Sequence, residues 1–404
     1  MKHLFGGRDR VTLERVVELA HRHLGLDLVF VTELVGGRRV LRAVAGDVAS
    51  FGLELGEGPP AEHTYSQFLM THQAPEVIPD TSLDDRVASL PATEERRVGA
   101  FIGVPLQYSD GTPYGVLGGM SHEPDPTLSP RDVRFMSMLA ELVTFELDEQ
   151  RRRDQLRLDL STLIEGKTVE IAFQPIVGLL RGEVLGLEAL ARFPTPFGPP
   201  AETFSDAETV GLGLELESLA VEKAWKALEE IRPEQFVAFN VSPHALLTLA
   251  RRAEARDSLP LEQVVVEVTE QAVVDSYGDL RDALAPLRAH GLRLAVDDAG
   301  AGYASLHHIV ELRPDFIKVD RSLVDGLADD HARRVAVSAF ALLALDLDAI
   351  VVAEGVERPE DLEALRDIGV QAGQGYLLGR PSTAAVDLSR WSDRQRKRLP
   401  TAVI

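Results

Sequence analysis

In the C-terminal half of the chain, four short apolar runs each end on a carboxylate or amide: Glu188 after VLGL, Asn240 after FVAF, Glu267 after VVV and Asp297 after LAV. A strand that ends on an oxygen donor, repeated along a chain, is how a barrel of alternating strands and helices gathers one divalent-metal site from separate strands. Asp298 follows directly and doubles the acid at one of these ends. Two adjacent carboxylates with three further oxygen donors suffice for two hard cations roughly 3.5–4 Å apart, a spacing suited to displacement at phosphate esters. The pattern points to metal-assisted hydrolysis of a phosphodiester. Taken singly, each residue has a plainer reading: a lone Glu after a strand is commonly salt-bridged, and Asn240 ahead of Val241-Ser242-Pro243 suits a helix cap.

Composition narrows the setting. At 404 residues and 45% hydrophobic content the chain can build more than one core, and its length favours two domains. The absence of cysteine excludes a disulfide framework and any thiolate metal site. MKHLFGGRDR lacks the apolar core of a signal peptide, and the most apolar long stretch, Val335 to Ala353, is broken by Asp346 and Asp348. A cytoplasmic protein with no membrane partner is expected. The net charge of −22 argues against a polymeric nucleic-acid partner, which selects basic faces. It is compatible with a small anionic ligand, because bound cations reverse the local sign of an acidic pocket.

Eight segments extend the pattern, in this order: FQPIV at Phe173–Val177, LEALAR at Leu187–Arg192, FNVSP at Phe239–Pro243, VEVTE at Val266–Glu270, AVDDAGAGYASL at Ala295–Leu306, DFIKVDRS at Asp315–Ser322, AEGVE at Ala353–Glu357 and QGYLLGRP at Gln374–Pro381. This series resembles the EAL domain family over residues 154–393. The resemblance implies a TIM-like (β/α)8 barrel with one strand antiparallel, binding Mg2+ or Mn2+, two ions in all, and hydrolysing cyclic di-GMP to linear pGpG. It makes Glu188, Asn240, Glu267 and Asp297 ligands of the first metal and Asp298 the bridging or second-metal ligand. Ligation by oxygen alone favours those ions over zinc.

The resemblance also gives roles to the surrounding residues. Glu354 matches the position of a general base that takes a proton from the attacking water. Lys318 suits neutralising phosphate charge or orienting that water, against a plainer ion pair with Asp320 or with a metal-ligand carboxylate. Gln174 and Arg192 match substrate contacts, Arg192 offering its planar fork to a phosphate oxygen, and Gln374 matches a hydrogen-bonding position in the active site. Glu270 matches a glutamate that steadies the loop after Asp298. That loop departs from the family's usual DDFGTGYSSL: Ala299 gives up a bulky apolar anchor and Ala301 a hydroxyl, so slower or more regulated catalysis is expected. The alternative is a barrel that binds cyclic di-GMP without cutting it. No GG(D/E)EF signature of a cyclase occurs.

The N-terminal part carries its own order of elements. LERVVELAHRHL at Leu13–Leu24 has helical spacing, and two strand-like runs flank Gly36-Gly37 as a hairpin. A short helix is expected around Tyr65–Thr71, a second hairpin through Asp110-Gly111, and a helix opening at Ser129-Pro130 with serine as N-cap. Over residues 8–148 this order resembles an α+β GAF domain, with the PAS fold as the other candidate. Neither names a ligand, so a small molecule or a protein signal is left open. From Arg131 to Ile164 no glycine or proline occurs, which predicts a connecting helix that overlaps the end of this domain. It reads either as a rigid signalling rod, pairing in a homodimer, or as two ordinary terminal helices.

Overall fold

The computed structural model describes residues 13–384 except 59, 62, 63, 72, 243, 247–259, 270–275 and 302–304. The chain divides into two compact units, Met1–Gln155 and Leu156–Ile404.

The first unit runs α1 (Leu13–Leu24), β1 (Leu28–Val35), β2 (Arg38–Gly46), α2 (Tyr65–Met70), β3 (Val77–Ile78), α3 (Pro91–Arg96), β4 (Ala100–Gln107) and β5 (Pro113–Ser121) before entering α4 (Pro130–Gly166). Its antiparallel sheet has the order β2-β1-β5-β4-β3. Gly36 and Gly37 turn the first hairpin with φ of 56° and 76°, a left-handed conformation that a side chain would strain. Strand alternation sends Val29 and Val31 to a core shared with α1 and α4, and Leu28 and Phe30 to a second core shared with Phe51, Tyr65 and Phe101. At the start of α4, the Ser129 hydroxyl donates to Asp132 Oδ2 at 2.8 Å, and its backbone N–H does so at 2.9 Å. The serine therefore works through the aspartate three residues on, as in a capping box.

The second unit is a closed barrel. Its strands are β6 (Glu170–Gly178), β7 (Val184–Arg192), β8 (Phe236–Asn240), β9 (Val264–Thr269), β10 (Arg293–Ala299), β11 (Phe316–Val319), β12 (Ile350–Ala353) and β13 (Ala372–Gly373). Around them lie α5 (Pro200–Thr209), α6 (Gly213–Trp225), α7 (Tyr277–Ala289), α8 (Ser305–Leu312), α9 (Arg321–Val324), α10 (His331–Asp346) and α11 (Pro359–Ile368). β6 is antiparallel to both neighbours, β7 and β13, while the other adjacent pairs are parallel. The last strand, β13, is only two residues long. At Gly375 a Cβ would come within 2.2 Å of the Val356 backbone, so the chain there leaves the ladder and packs against the neighbouring loop.

The strand period of two sorts the barrel residues into two shells. Facing the helices are Leu187, Val237, Val266, Val296, Ile317 and Val351. Filling the interior are Ile176, Phe236, Ala238, Val265, Ala295, Phe316, Val352 and Ala372. Among the described residues, no helix is long and apolar enough to cross a membrane.

Candidate metal centre

One step of two residues along the inward face separates that apolar layer from a polar one. Ala238 leads to Asn240, Val265 to Glu267, Ala295 to Asp297, Phe316 to Lys318, Val352 to Glu354 and Ala372 to Gln374. On the reversed strand β6 the order inverts: Gln174 precedes Ile176 by two and pairs in register with Glu188 of β7. The antiparallel direction thus brings Gln174 to the same end of the barrel as residues that follow their apolar partners.

Lys318 Nζ sits among the carboxylates. It lies 3.3 Å from Glu188 Oε1, 2.8 Å from Glu267 Oε2, 2.9 Å from Asp297 Oδ1 and 2.9 Å from Glu354 Oε1. Lys318 and Glu267 are each only 1% exposed. Burial lowers the basicity of this ammonium, but the four surrounding carboxylates outweigh it and hold its pKa well above the lysine norm. Burial, with Glu188 and Asp297 nearby, pushes Glu267 well above the usual carboxylate range against the pull of Lys318. Glu354 is raised to about 8 by burial, opposed by Lys318 and reinforced by Asp297 and Glu188. A single cation cannot compensate so many buried acids, and this excess of negative charge is what a divalent ion neutralises.

The carboxylates fall into two sets that share one member. Oxygens of Glu188, Glu267 and Asp297 lie within 4.8 Å of one another, and so do oxygens of Asp297, Asp298 and Glu354. Adjacent residues on a regular strand point to opposite faces, so Asp297 and Asp298 need a local device to join one site. The register with β11 breaks between Val296 and Ala299, and Asp298 has φ of 56°. This irregularity re-aims the second carboxylate. The Asp298 N–H donates to Asp297 Oδ1 at 3.0 Å, and burial, followed by repulsion from Asp297, raises the Asp298 carboxyl to about 6.

The neutral groups complete the rim. Asn240 is exposed, with Nδ2 3.5 Å from Glu188 Oε1 and 3.4 Å from Glu267 Oε2. The cap of the turn that follows β8 is Ser242, whose Oγ accepts from the Ala245 N–H at 3.2 Å and donates to Glu217 Oε2 at 2.9 Å. Asn240 thus turns to the cluster and leaves the cap to Ser242. Gln374 donates through Nε2 to Gln174 Oε1 and Glu188 Oε2, and Gln174 donates to the Gly379 carbonyl at 3.0 Å. Gln374 Oε1 is buried without a hydrogen-bond partner and offers a lone pair to a water or hydroxyl.

Two expected neighbours lie elsewhere. Arg192 is two steps beyond Glu188 on its face of β7, and its guanidinium donates to the Ala191 carbonyl at 2.8 Å. Among the described residues it makes no hydrogen bond or ion pair with the cluster. Asp320 caps α9 by accepting from the Ser322 N–H, so it is not the Lys318 partner that sequence allowed. Glu270 lies outside the described residues. Sequence spacing also missed the sharing of Asp297 between two carboxylate sets and the anchoring of Gln174 by a backbone carbonyl. A carbonyl carries no residue identity, so no sequence signal marks that contact.

Comparison with known proteins gives these positions a context. Residues 157–381, more than half of the chain, match the family model described as EAL domain, and residues 10–148 match one described as GAF domain, which decides against the PAS alternative. The cyclic di-GMP phosphodiesterase NbdA of Pseudomonas aeruginosa is 31% identical over 300 residues, covering 70% of this chain and 37% of that protein. MucR of the same organism, a bifunctional diguanylate cyclase/cyclic di-GMP phosphodiesterase, is 32% identical over 246 residues, covering 57% of this chain and 36% of that protein. The solved structure of the PaMucR phosphodiesterase in complex with c-di-GMP aligns with a TM-score of 0.51 at 30% identity, covering 56% of this chain and 97% of that one. The matches to these two curated relatives span 36% to 37% of their length.

Proposed function

The chain belongs to the EAL-domain family, with a GAF domain ahead of the barrel, and from this premise we propose that it is a metal-dependent phosphodiesterase hydrolysing cyclic di-GMP to linear pGpG. The observation that carries the reading is the pair of carboxylate sets sharing Asp297 at one end of the barrel. Their donors are all oxygens, several are buried, and their negative charge exceeds what Lys318 neutralises, so the set fits Mg2+ or Mn2+. Glu188, Glu267, Asp297 and the nearby Asn240 would hold one ion, with Asp298 reaching a second beside Asp297. When bound, the ions supply charge neutralisation to the phosphodiester and acidify the attacking water.

The chain's own groups supply the rest. Glu354, with its raised pKa, takes the proton from the attacking water at Oε2, while Oε1 stays on Lys318. Lys318 holds four carboxylates in one arrangement and places positive charge beside the scissile phosphate. Gln374 orients a water or substrate hydroxyl through its unpaired Oε1, and Gln174 fixes the Gln374 amide. Arg192 reaches a phosphate oxygen by leaving the Ala191 carbonyl on substrate binding. Glu270 steadies the loop beyond Asp298. The GAF domain, answering to a small ligand or a protein signal, adjusts the rate through α4 in a homodimer.

Purified protein with Mg2+ or Mn2+ should convert cyclic di-GMP to pGpG, resolved by chromatography, and a chelator should stop the conversion. Bound but intact substrate across metals and pH would sink the enzyme reading and make the protein a cyclic di-GMP receptor.

A further inference from the structure

α6 carries three acids, of which Glu215 and Glu222 are exposed and Glu217 is half-buried. Glu217 stands four residues before Val221 and seven before Ala224, on the helical face that packs in the barrel-side core. Leu216 and Leu219, on a different face of the same helix, pack with Leu160 and Leu163 of α4. The helix is therefore seated on two sides, and a side chain projecting from it is aimed by a rigid support.

The Glu217 carboxylate reaches the turn that follows β8. Its Oε2 accepts from the Ser242 hydroxyl at 2.9 Å, while Ser242 Oγ accepts from the Ala245 N–H at 3.2 Å. The Leu246 N–H donates to the Ser242 carbonyl at 2.9 Å, and the Val241 N–H to the Glu267 carbonyl at 3.0 Å. Ser242 is thus the joint of the turn, tied forward to the next helical turn and sideways to α6. Burial pushes the Glu217 carboxyl above its ordinary range, opposed by the hydroxyl and N–H of Ser242. The cap itself needs only the Ser242 oxygen as acceptor, so a carboxylate placed here at a cost in desolvation does something more than cap.

Two residues before Ser242 is Asn240, an exposed side chain with Nδ2 3.5 Å from Glu188 and 3.4 Å from Glu267. Hydrogen bonds of this length hold it weakly. To offer Oδ1 to a cation in place of Nδ2, the amide must turn about its last bond, and the oxygen meets the ion only if the backbone beneath it stays fixed. Resting on the metal-centre reading of this rim, we propose that Glu217 is a positioning residue: through Ser242 it fixes the backbone that aims Asn240 at the cation.

The test measures Mn2+ binding to the full chain by equilibrium dialysis, which reads the site whether or not cyclic di-GMP is cut. Glu217→Leu should weaken binding roughly 10-fold, the lower end of what loss of a supporting hydrogen bond costs a metal ligand. Glu217→Gln, whose amide oxygen still accepts from Ser242, should bind close to the parent level, and Ser242→Ala should weaken binding as Glu217→Leu does. The double variant, Glu217→Leu with Ser242→Ala, should bind no more weakly than the weaker single one, because both changes interrupt one route. Saturating Mn2+ should bring the cyclic di-GMP turnover of Glu217→Leu back toward that of the parent. Parent-like Mn2+ binding by Glu217→Leu overturns this role and leaves the metal centre in place, whereas a parent chain that binds no Mn2+ overturns both. Equal losses in Glu217→Gln and Glu217→Leu, or additive losses in the double variant, also overturn it. Should Glu217→Leu fail to fold, parent-like binding by Ser242→Ala decides against it equally.

Discussion

Lys318 Nζ lies 2.8 Å from Glu267 Oε2, and both side chains are 1% exposed. An ion pair this deep is weak evidence for stability in itself, because desolvation offsets attraction, yet removing one partner strands the other. Lys318→Met leaves not one acid but four without their cation. We predict a loss of about 3–5 kcal/mol in urea unfolding with EDTA. Millimolar Mg2+ or Mn2+ should restore part of it, since the ion supplies the missing charge. Equal stability of the two proteins in EDTA would refute the role given to Lys318.

Glu354→Gln is nearly isosteric and removes the proposed base. Turnover of cyclic di-GMP should fall by roughly 10²–10⁴-fold while equilibrium binding of the substrate survives. Near-normal turnover would move the base elsewhere, with Lys318 or Asp298 next to examine.

Asp297 belongs to both carboxylate sets, whereas Glu188 and Glu267 belong to one and Asp298 and Glu354 to the other. Asp297→Asn should therefore lower the number of Mn2+ ions retained in equilibrium dialysis to near zero, and Glu267→Gln should spare one. If Asp297→Asn and Glu267→Gln retain equal numbers of ions, Asp297 is not shared.

Deprotonation should accompany metal binding. Asp298 is raised to about 6 and Glu354 to about 8, so at pH 7 the first is mostly ionised and the second mostly protonated. A carboxylate whose pKa rises on folding favours the native state only while protonated. Metal-free stability should fall as pH climbs from the ordinary carboxylate range through about 8. A cation binds the ionised forms, so adding Mn2+ at pH 7 should release protons, and apparent affinity should rise with pH up to about 8. Calorimetry in buffers of different ionisation enthalpy reads this directly; zero proton release contradicts it.

α4 supplies Met136, Leu139, Val143 and Leu147 to the core of the first unit and Leu160 and Leu163 to a core of the second. Inserting two residues after Arg152 would turn the helix by about 200° at 3.6 residues per turn, whereas seven would nearly restore its phase. Phosphodiesterase activity should change strongly with the first insertion and weakly with the second. Equal activity in both, and in residues 154–404 alone, would separate the GAF domain from control of the barrel.

Much of this molecule was legible before folding. α1, both hairpins of the GAF sheet, the start of α4 and the barrel strands except the last follow from local pattern, because alternation of apolar residues, glycine pairs and proline at a first helical turn act within a few residues. The acids at the strand ends were legible for the same reason: a closed barrel puts the ends of its parallel strands on one rim wherever they lie in the chain.

Other features depended on contacts between distant segments. Whether β6 runs with or against its neighbours does not change its alternation, so its direction, and with it the placing of Gln174 beside Glu188, came from pairing with β7 and β13. Asp298 joined Asp297 only through a left-handed residue at a break in register. Lys318 was chemically free to pair with Asp320, but Asp320 follows β11 and caps α9, while Lys318 faces the interior where four carboxylates converge. The sequence by itself determined which residues form strands and which carry charge, because those properties are local. The tertiary structure decided which charges meet, because Coulomb energy and desolvation depend on distance and burial, and both are set by segments far apart in the chain.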